Sequence, residues 1–219
     1  MITFEEIKKH EEISAYIEAG DRVLDVLGFT EHSYAHVGKV AADAAYLLTE
    51  LGYDAHTIEL ARIAAWMHDI GNVVNRHGHA ETGAVMAFRI LDRLGIAPQD
   101  LAIVVGAIGN HDEGTGTAVS PVSAALIIAD KCDVRRSRVR NSDMSKFDIH
   151  DRVNYAVIHT ALRLDREAGE VGLTLRIDTQ ICPVMDYFEI FLSRMLMCRR
   201  AAEFLGLKFT LTINDTRLL

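Results

Sequence analysis

Six side chains in the first two thirds of the chain are of the types that bind divalent metal ions. Imidazole and carboxylate ligands suit ions such as Mn, Fe, Co, Ni or Zn. Asp130 ends the apolar run AALIIAD, where a buried carboxylate needs a cation or strong hydrogen bonds. The sequence therefore predicts a metal site built from His36, His68, Asp69, His79, His111 and Asp130.

Each of these residues, taken alone, has an ordinary alternative explanation. A histidine on an apolar helix face is more often a hydrogen-bonded core residue than a ligand, and a buried aspartate is often a helix cap or an ion-pair partner. A shared site is favoured because all six fall at inward positions on five consecutive helical elements. The three cysteines have no CxxC spacing, which argues against a structural zinc site and predicts free buried thiols.

Six protein ligands on one ion would leave no position for water or substrate, whereas two ions would leave room for both. We therefore predict a binuclear site in which Asp69 bridges the ions. One ion would be held by His36, His68 and Asp130, and the other by His79 and His111. Two divalent cations exceed the charge of two aspartates, and the surplus positive charge suits a phosphate group.

Apolar residues at a period near 3.6 predict that successive helices position these side chains. Thr3 with Glu6 has the pattern of a capping box, and Ser120 with Pro121 predicts another helix start. Other helices are predicted at about 30–51, 57–68, 79–94, 98–110 and 149–165. This part of the chain is therefore predicted to be all α, as a domain of residues 1–170.

The pattern changes in the last quarter of the chain. Leu173, Leu175 and Ile177 alternate with polar residues, and the same alternation returns over 209–213 after a helical pattern at 183–205. This predicts a strand-helix-strand appendage at 171–219, with the strands parallel because a helix connects them. Two strands are marginal alone, so the appendage must pack on the helical body or on a second subunit, and we expect a homodimer.

Composition excludes several function classes. A formal net charge of −8 argues against a general nucleic-acid binder. No apolar run approaches the roughly 18 residues of a membrane span, and residues 1–20 have no signal-peptide pattern. We therefore expect a cytoplasmic protein without membrane contacts.

The order of these motifs resembles the HD-domain superfamily of metal-dependent phosphohydrolases. The residues that match its H…HD…D pattern are His36 in HVGKVA, His68 and Asp69 in HDIG, and Asp130 in IIADKCD. The histidines of HAETGA and NHDEG resemble the additional ligands of the binuclear branches. The resemblance covers residues 30–133 and implies a mainly α fold, an HD-domain helical bundle that binds divalent ions.

The sequence also departs from the family pattern. Asn72 stands where many members have lysine after HDIG, and the GYP signature of cyclic-di-GMP phosphodiesterases does not follow His111. Asp69 and His79 are close together for this family, and His77 competes with His79 for the same role.

The resemblance implies hydrolysis of a phosphate ester or anhydride, with a nucleotide or a related small phosphorylated compound as substrate. Two divalent ions (Fe, Mn, Ni, Co or Zn, or else Mg) would activate a water molecule, which Asp69 or His111 would orient. Lys131, Arg135 and Arg136 are the candidates for substrate phosphate binding.

Alternatives stay open at this point. The two arginines also fit a solvated basic face at a helix end, and Lys131 fits an ion pair with Asp133 or Glu113. His32 fits an exposed first-turn position better than the site. The same ligand set serves di-iron oxygenases of the superfamily, and degenerate HD domains act as signalling or assembly modules, although such members typically lose their ligands.

Overall fold

The computed structural model describes residues 2–141 and 143–219. The α-helices are α1 (Phe4–Lys8), α2 (Glu11–Val26), α3 (Tyr34–Glu50), α4 (Ala55–Met67), α5 (His79–Arg93), α6 (Pro98–Gly109), α7 (Pro121–Lys131), α8 (Ile149–Ala156) and α9 (Val184–Phe204). Short 3-10 helices span Ile70–Val73, Arg136–Arg138 and Met144–Lys146. The fold is mainly α, as the sequence predicts. Within the described ranges, no helix has the length and apolar character needed to cross a membrane.

Side-chain caps set the starts of several helices. Thr3 and Glu6 form the predicted capping box of α1, and the Ser120 hydroxyl accepts the backbone N–H of Ser123 at the start of α7. Ser33 caps α3 in the same way through Ala35. These caps satisfy N–H groups that the first turn of a helix leaves free.

A small sheet follows the helices. Its strands are β1 (Val157–Asp165), β2 (Glu170–Ile177), β3 (Lys208–Ile213) and β4 (Thr216–Arg217), in the order β1-β2-β3-β4. β2 and β3 are parallel and joined through α9, which confirms the predicted crossover. β1 pairs with β2, and β4 with β3, in antiparallel fashion.

The predicted helix over 149–165 is wrong in its second half. Helix α8 ends at Ala156, and β1 begins at Val157. The β-branched residues Val157, Ile158 and Thr160 favour extended backbone, and pairing with β2 outweighs the helical pattern. The sheet thus takes residues from both sides of the predicted boundary between 170 and 171.

Helix α7 lies between two hydrophobic clusters. Leu126 and Ala129 pack with α1–α6, whereas Ile127 and Ile128 pack with the sheet and α9. A helix that is apolar on all sides is buried on all sides. α7 therefore carries Asp130, at its C-terminal end, to the junction of the two clusters.

Candidate metal centre

The six predicted ligands come from the ends and inner faces of neighbouring elements. His36 lies in the first turn of α3, His68 is the C-cap of α4, and Asp69 follows it. His79 opens α5 and His111 follows α6. All four histidines are at most 2% exposed, and Asp69 is 8% exposed.

Each of the four imidazoles is held through its Nδ1 atom. Nδ1 of His36 lies 2.8 Å from Oδ2 of Asp133, and Nδ1 of His68 lies 2.7 Å from the carbonyl of Ala65. The corresponding partners of His79 and His111 are the carbonyls of residues 76 and 108, at 3.0 and 2.6 Å. A carbonyl or carboxylate partner requires a hydrogen on Nδ1, so the lone pair of each neutral ring is on Nε2.

The carboxylate of Asp69 lies between two pairs of histidines. Its Oδ2 is 3.5 Å from Nε2 of His36 and 3.2 Å from Nε2 of His68. Its Oδ1 is 3.5 Å from Nε2 of His79 and 3.9 Å from Nε2 of His111. Each carboxylate oxygen therefore faces a different imidazole pair, an arrangement that suits a bridging ligand.

Asp130 completes the side of the site formed by α3 and α4. Its Oδ1 lies 3.3 Å from Nε2 of His36 and 3.7 Å from Nε2 of His68. Its Oδ2 lies 2.8 Å from Nζ of Lys131. The donor atoms of His36, His68 and Asp130 are close enough together to hold one ion, as are those of His68, Asp69 and His111.

These residues fit a bound cation. Nε2 of His36 and Nε2 of His68 are buried without a hydrogen-bond partner among the described residues. The Nε2 atoms of His79 and His111 are 3.1 Å apart although Nδ1 is the hydrogen-bearing nitrogen of both rings. Opposed lone pairs repel each other unless a proton or a cation lies between them, and neutral imidazole is a common metal ligand.

The electrostatics differ between the two sides of Asp69. Burial lowers the pKa of the His68 imidazole, but the Asp69 and Asp130 carboxylates outweigh burial and raise that pKa to about 10. Burial lowers the pKa of His79 and of His111, which favours their neutral, ligating forms. Burial alone would raise the pKa of Asp69, but His68 and His36 hold it well below its usual range. The carboxylate is therefore ionised.

Residues 33–135 match the family model of the HD domain. This match identifies an HD domain over slightly less than half of the chain. It is also 24% identical over 170 residues to the uncharacterized protein MJ1020 of Methanocaldococcus jannaschii, covering 67% of this chain and 65% of that protein. The chain thus spans slightly less than two thirds of that relative's length.

A solved structure is also similar. It is the crystal structure of a predicted HD superfamily hydrolase from an uncultured Thermotogales bacterium, at 27% sequence identity and a TM-score of 0.45. The similarity covers 57% of this chain and 67% of that one.

The HD motif of this chain continues into a tight turn. Gly71 packs so closely on α5 that a Cβ atom there would lie 2.0 Å from the carbonyl oxygen of His79 and 2.6 Å from the amide nitrogen of Gly83. This contact brings His79 to the site in spite of the short spacing from Asp69. His77 is exposed, and its backbone N–H bonds to the side chain of Asn75.

Asn72, which replaces the common lysine of the HD family, supports the central carboxylate. Its Nδ2 donates to Oδ1 of Asp69 at 2.8 Å and to the backbone carbonyl of the same residue at 3.0 Å. Its own Oδ1 accepts Nη1 of Arg76 at 3.2 Å. Arg76 therefore supplies, one turn later, a positive charge near the HD motif.

The predicted substrate-binding residues have different surroundings. Lys131 lines the cavity at the metal centre. Its Nζ is 2.7 Å from Oε2 of Glu113, so it also forms the ion pair that was the alternative prediction for this residue. Arg135 binds both carboxylate oxygens of Asp133, and Arg136 bonds to the carbonyl of Tyr155 and packs over its ring. Neither arginine lines the cavity at the metal centre, so their role as a phosphate clamp stays a prediction that this geometry does not favour.

Other residues line that cavity instead. Besides proposed metal ligands and Lys131, the cavity is lined by His32, Arg76, Arg138 and Arg194. His32 is only 9% exposed, whereas the sequence favoured an exposed position for it. Its ring packs on that of His36, with ring centres 5.3 Å apart, and its Nδ1 bonds to the carbonyl of Thr30 at 2.6 Å. Arg138 lies two residues after Arg136, the last of the predicted phosphate-binding candidates. Arg194 lies on α9, and no local pattern connects it to the HD motif.

Proposed function

We propose that this protein is a metal-dependent phosphohydrolase that cleaves an ester or anhydride of a small phosphorylated compound with two divalent ions. The observation that carries the proposal is the position of Asp69. Each of its oxygens faces one pair of Nε2 atoms, at 3.2–3.5 Å on one side and 3.5–3.9 Å on the other. This division supports two ions that share one carboxylate.

The charge around the centre supports an anionic substrate. Lys131, Arg76, Arg138 and Arg194 all line the same small cavity as His79 and His111. Burial opposes protonation of Lys131, but Asp130 and Glu113 raise the pKa of its ammonium group, so it is charged. Guanidinium and ammonium groups are the usual protein partners of phosphate oxygens.

The reaction adds water across a phosphorus–oxygen bond. Divalent ions in such a site supply Lewis-acid chemistry, binding phosphoryl oxygens and lowering the pKa of water. The water oxygen bonds to phosphorus, the bond to the leaving oxygen breaks, and a proton lost from water ends on the leaving group. Asp69, whose carboxylate oxygens keep further lone pairs, would accept a hydrogen bond from the water, whereas the one lone pair of His111, on Nε2, is the one that would hold an ion.

Turnover of p-nitrophenyl phosphate esters and nucleotides, with Mn, Ni or Fe added separately, tests this function. We expect metal-dependent hydrolysis that Asp69→Ala abolishes. The exposed His77 gives a matched control, since His77→Ala removes an imidazole from the same loop without touching the centre. Activity that required iron and consumed oxygen would contradict the proposal and indicate an oxygenase.

A further inference from the structure

A second cleft opens beside the metal centre. It lies between the loop 27–30 that precedes α3, helix α8 and helix α9, and we call it the flanking cleft. Its volume is about 160 Å³. His32, Arg76, Arg138 and Arg194 line both this cleft and the cavity at the metal centre. The flanking cleft and the cavity at the metal centre therefore adjoin each other.

Positive charge is concentrated at this junction. Arg138 uses Nε and Nη1 to bind the backbone carbonyls of Glu31 and Asp133, and Arg194 uses Nε to bind Oε1 of Glu113. These bonds fix the two guanidinium groups and leave other N–H groups of each for a ligand. The junction is thus suited to phosphate oxygens.

Farther from the centre, the cleft has apolar and aromatic walls. Leu27 and Phe29 line it while remaining 56% and 41% exposed. Phe191 lines it from α9, with the guanidinium carbon of Arg194 4.7 Å from its ring centre. The guanidinium carbon of Arg76 lies 5.8 Å from the ring centre of Phe29. Aromatic rings next to guanidinium groups provide a surface on which a planar group can stack.

We propose that the flanking cleft binds the leaving group of the substrate and that this group carries a planar ring, as nucleoside and aryl phosphates do. The inference rests on the proposed phosphohydrolase function. The arginines at the junction would hold phosphate oxygens, and Phe29 would contact the ring, while the buried Phe191 packs beneath Arg194. Phe29, Phe191 and Arg194 fall outside residues 33–135. Recognition of the ring would therefore come from the segments that flank the HD domain.

Two phosphonates that differ only in the ring provide a test independent of turnover. Phenylphosphonate and methylphosphonate have the same anionic head, and hydrolysis cannot cleave their phosphorus–carbon bond. Calorimetric titration of the metal-loaded protein should show tighter binding of phenylphosphonate. Phe29→Ala should weaken that binding about tenfold and leave methylphosphonate unchanged, since stacking on one aromatic side chain accounts for about this factor.

A matched control variant distinguishes loss of the ring contact from a general loss of structure. Phe88→Ala removes a phenylalanine that is also half exposed but lies on α5 away from the cleft, and it should change neither affinity. Equal binding of the two phosphonates, or equal weakening of both by Phe29→Ala, overturns the cleft assignment.

Kinetics with phenyl phosphate and methyl phosphate distinguish the two proposals. Hydrolysis of both esters with the same KM would support the phosphohydrolase function and contradict the binding of a ring in the flanking cleft. Phenylphosphonate binding that depends on Phe29, without hydrolysis of any ester, would support the cleft and contradict the phosphohydrolase function.

Discussion

The Nε2 atoms of His79 and His111 lie 3.1 Å apart, and backbone carbonyls have already fixed the hydrogen of each ring on Nδ1. Two lone pairs at this distance are unfavourable without a positive charge between them. The carboxylate of Asp69 directs one oxygen to this pair and the other to the pair formed by His36 and His68. Removal of His79 is therefore the substitution that best distinguishes two bound metal ions from one.

His79→Ala should reduce the metal content from two ions per chain to one. The variant loses a ligand on one side of Asp69, while His36, His68 and Asp130 keep the other side intact. Elemental analysis of purified protein measures the ratio, with His77→Ala as the control that should keep two ions. One ion in both the wild type and His79→Ala would remove His79 from the site.

Asp133→Asn should weaken metal binding about 10- to 100-fold without removing a ligand. Asp133 is buried, accepts the Nδ1 hydrogen of His36, and orients the ring so that Nε2 faces the centre. Competition with a chelator measures the affinity, and circular dichroism checks that the helices persist. Asp215→Asn, at a side chain that is 92% exposed, is the control. Unchanged affinity in Asp133→Asn would exclude this orienting role.

Gly71→Ala should lower the free energy of unfolding by about 3 kcal/mol or more, because the new Cβ would collide with backbone of α5 that cannot rotate away. Gly38→Ala is the opposite case. Its Cβ would meet only Cζ3 of Trp66 at 3.7 Å, and alanine favours helix α3 by about 1 kcal/mol. Urea unfolding compares the two variants, and similar effects of both would contradict the close contact at Gly71.

Asp54→Ala should destabilise the protein in a way that depends on pH. The backbone N–H of Thr57 donates a hydrogen bond to the Asp54 carboxylate at the start of α4. This bond lowers the pKa of the Asp54 carboxyl group below its ordinary value of 3.8. A lowered folded-state pKa stabilises the protein above pH 3.8, and this stabilisation disappears as pH falls below that value. The difference in unfolding free energy between wild type and variant should therefore shrink in acid.

Ser120→Ala provides the comparison, because it removes a helix cap that does not titrate. Its cost, about 1 kcal/mol, should stay constant over the same pH range. A pH-independent cost for Asp54→Ala as well would show that the charge of Asp54 does not contribute to its cap.

The helices and the ligand cluster were accessible from the sequence because both depend on local spacing. Apolar periodicity placed α3 to α7, and the inward position of each polar residue on its helix brought His36, His68 and Asp130 together. The short loop before His79 was harder to interpret, since the packing of Gly71 on α5 involves residues that are not neighbours in sequence.

Features that depend on long-range pairing could not be predicted in this way. β1 was missed because pairing with β2, a distant segment, outweighs the helical pattern of this stretch. Arg135 was predicted at the substrate from its proximity to Asp130, yet Asp133 binds it. Arg194 reaches the centre from α9 only because that helix packs on α7, and nothing in its local sequence indicates this.

The packing of α9 on α7 has a consequence for any attempt to isolate the HD domain of this chain. A fragment ended after residue 135 would retain every proposed metal ligand but would lose Phe191 and Arg194, and with them one side of the entrance. It would also expose Ile127 and Ile128 of α7 to water. For this protein, the boundary of the family match is a poor place to cut.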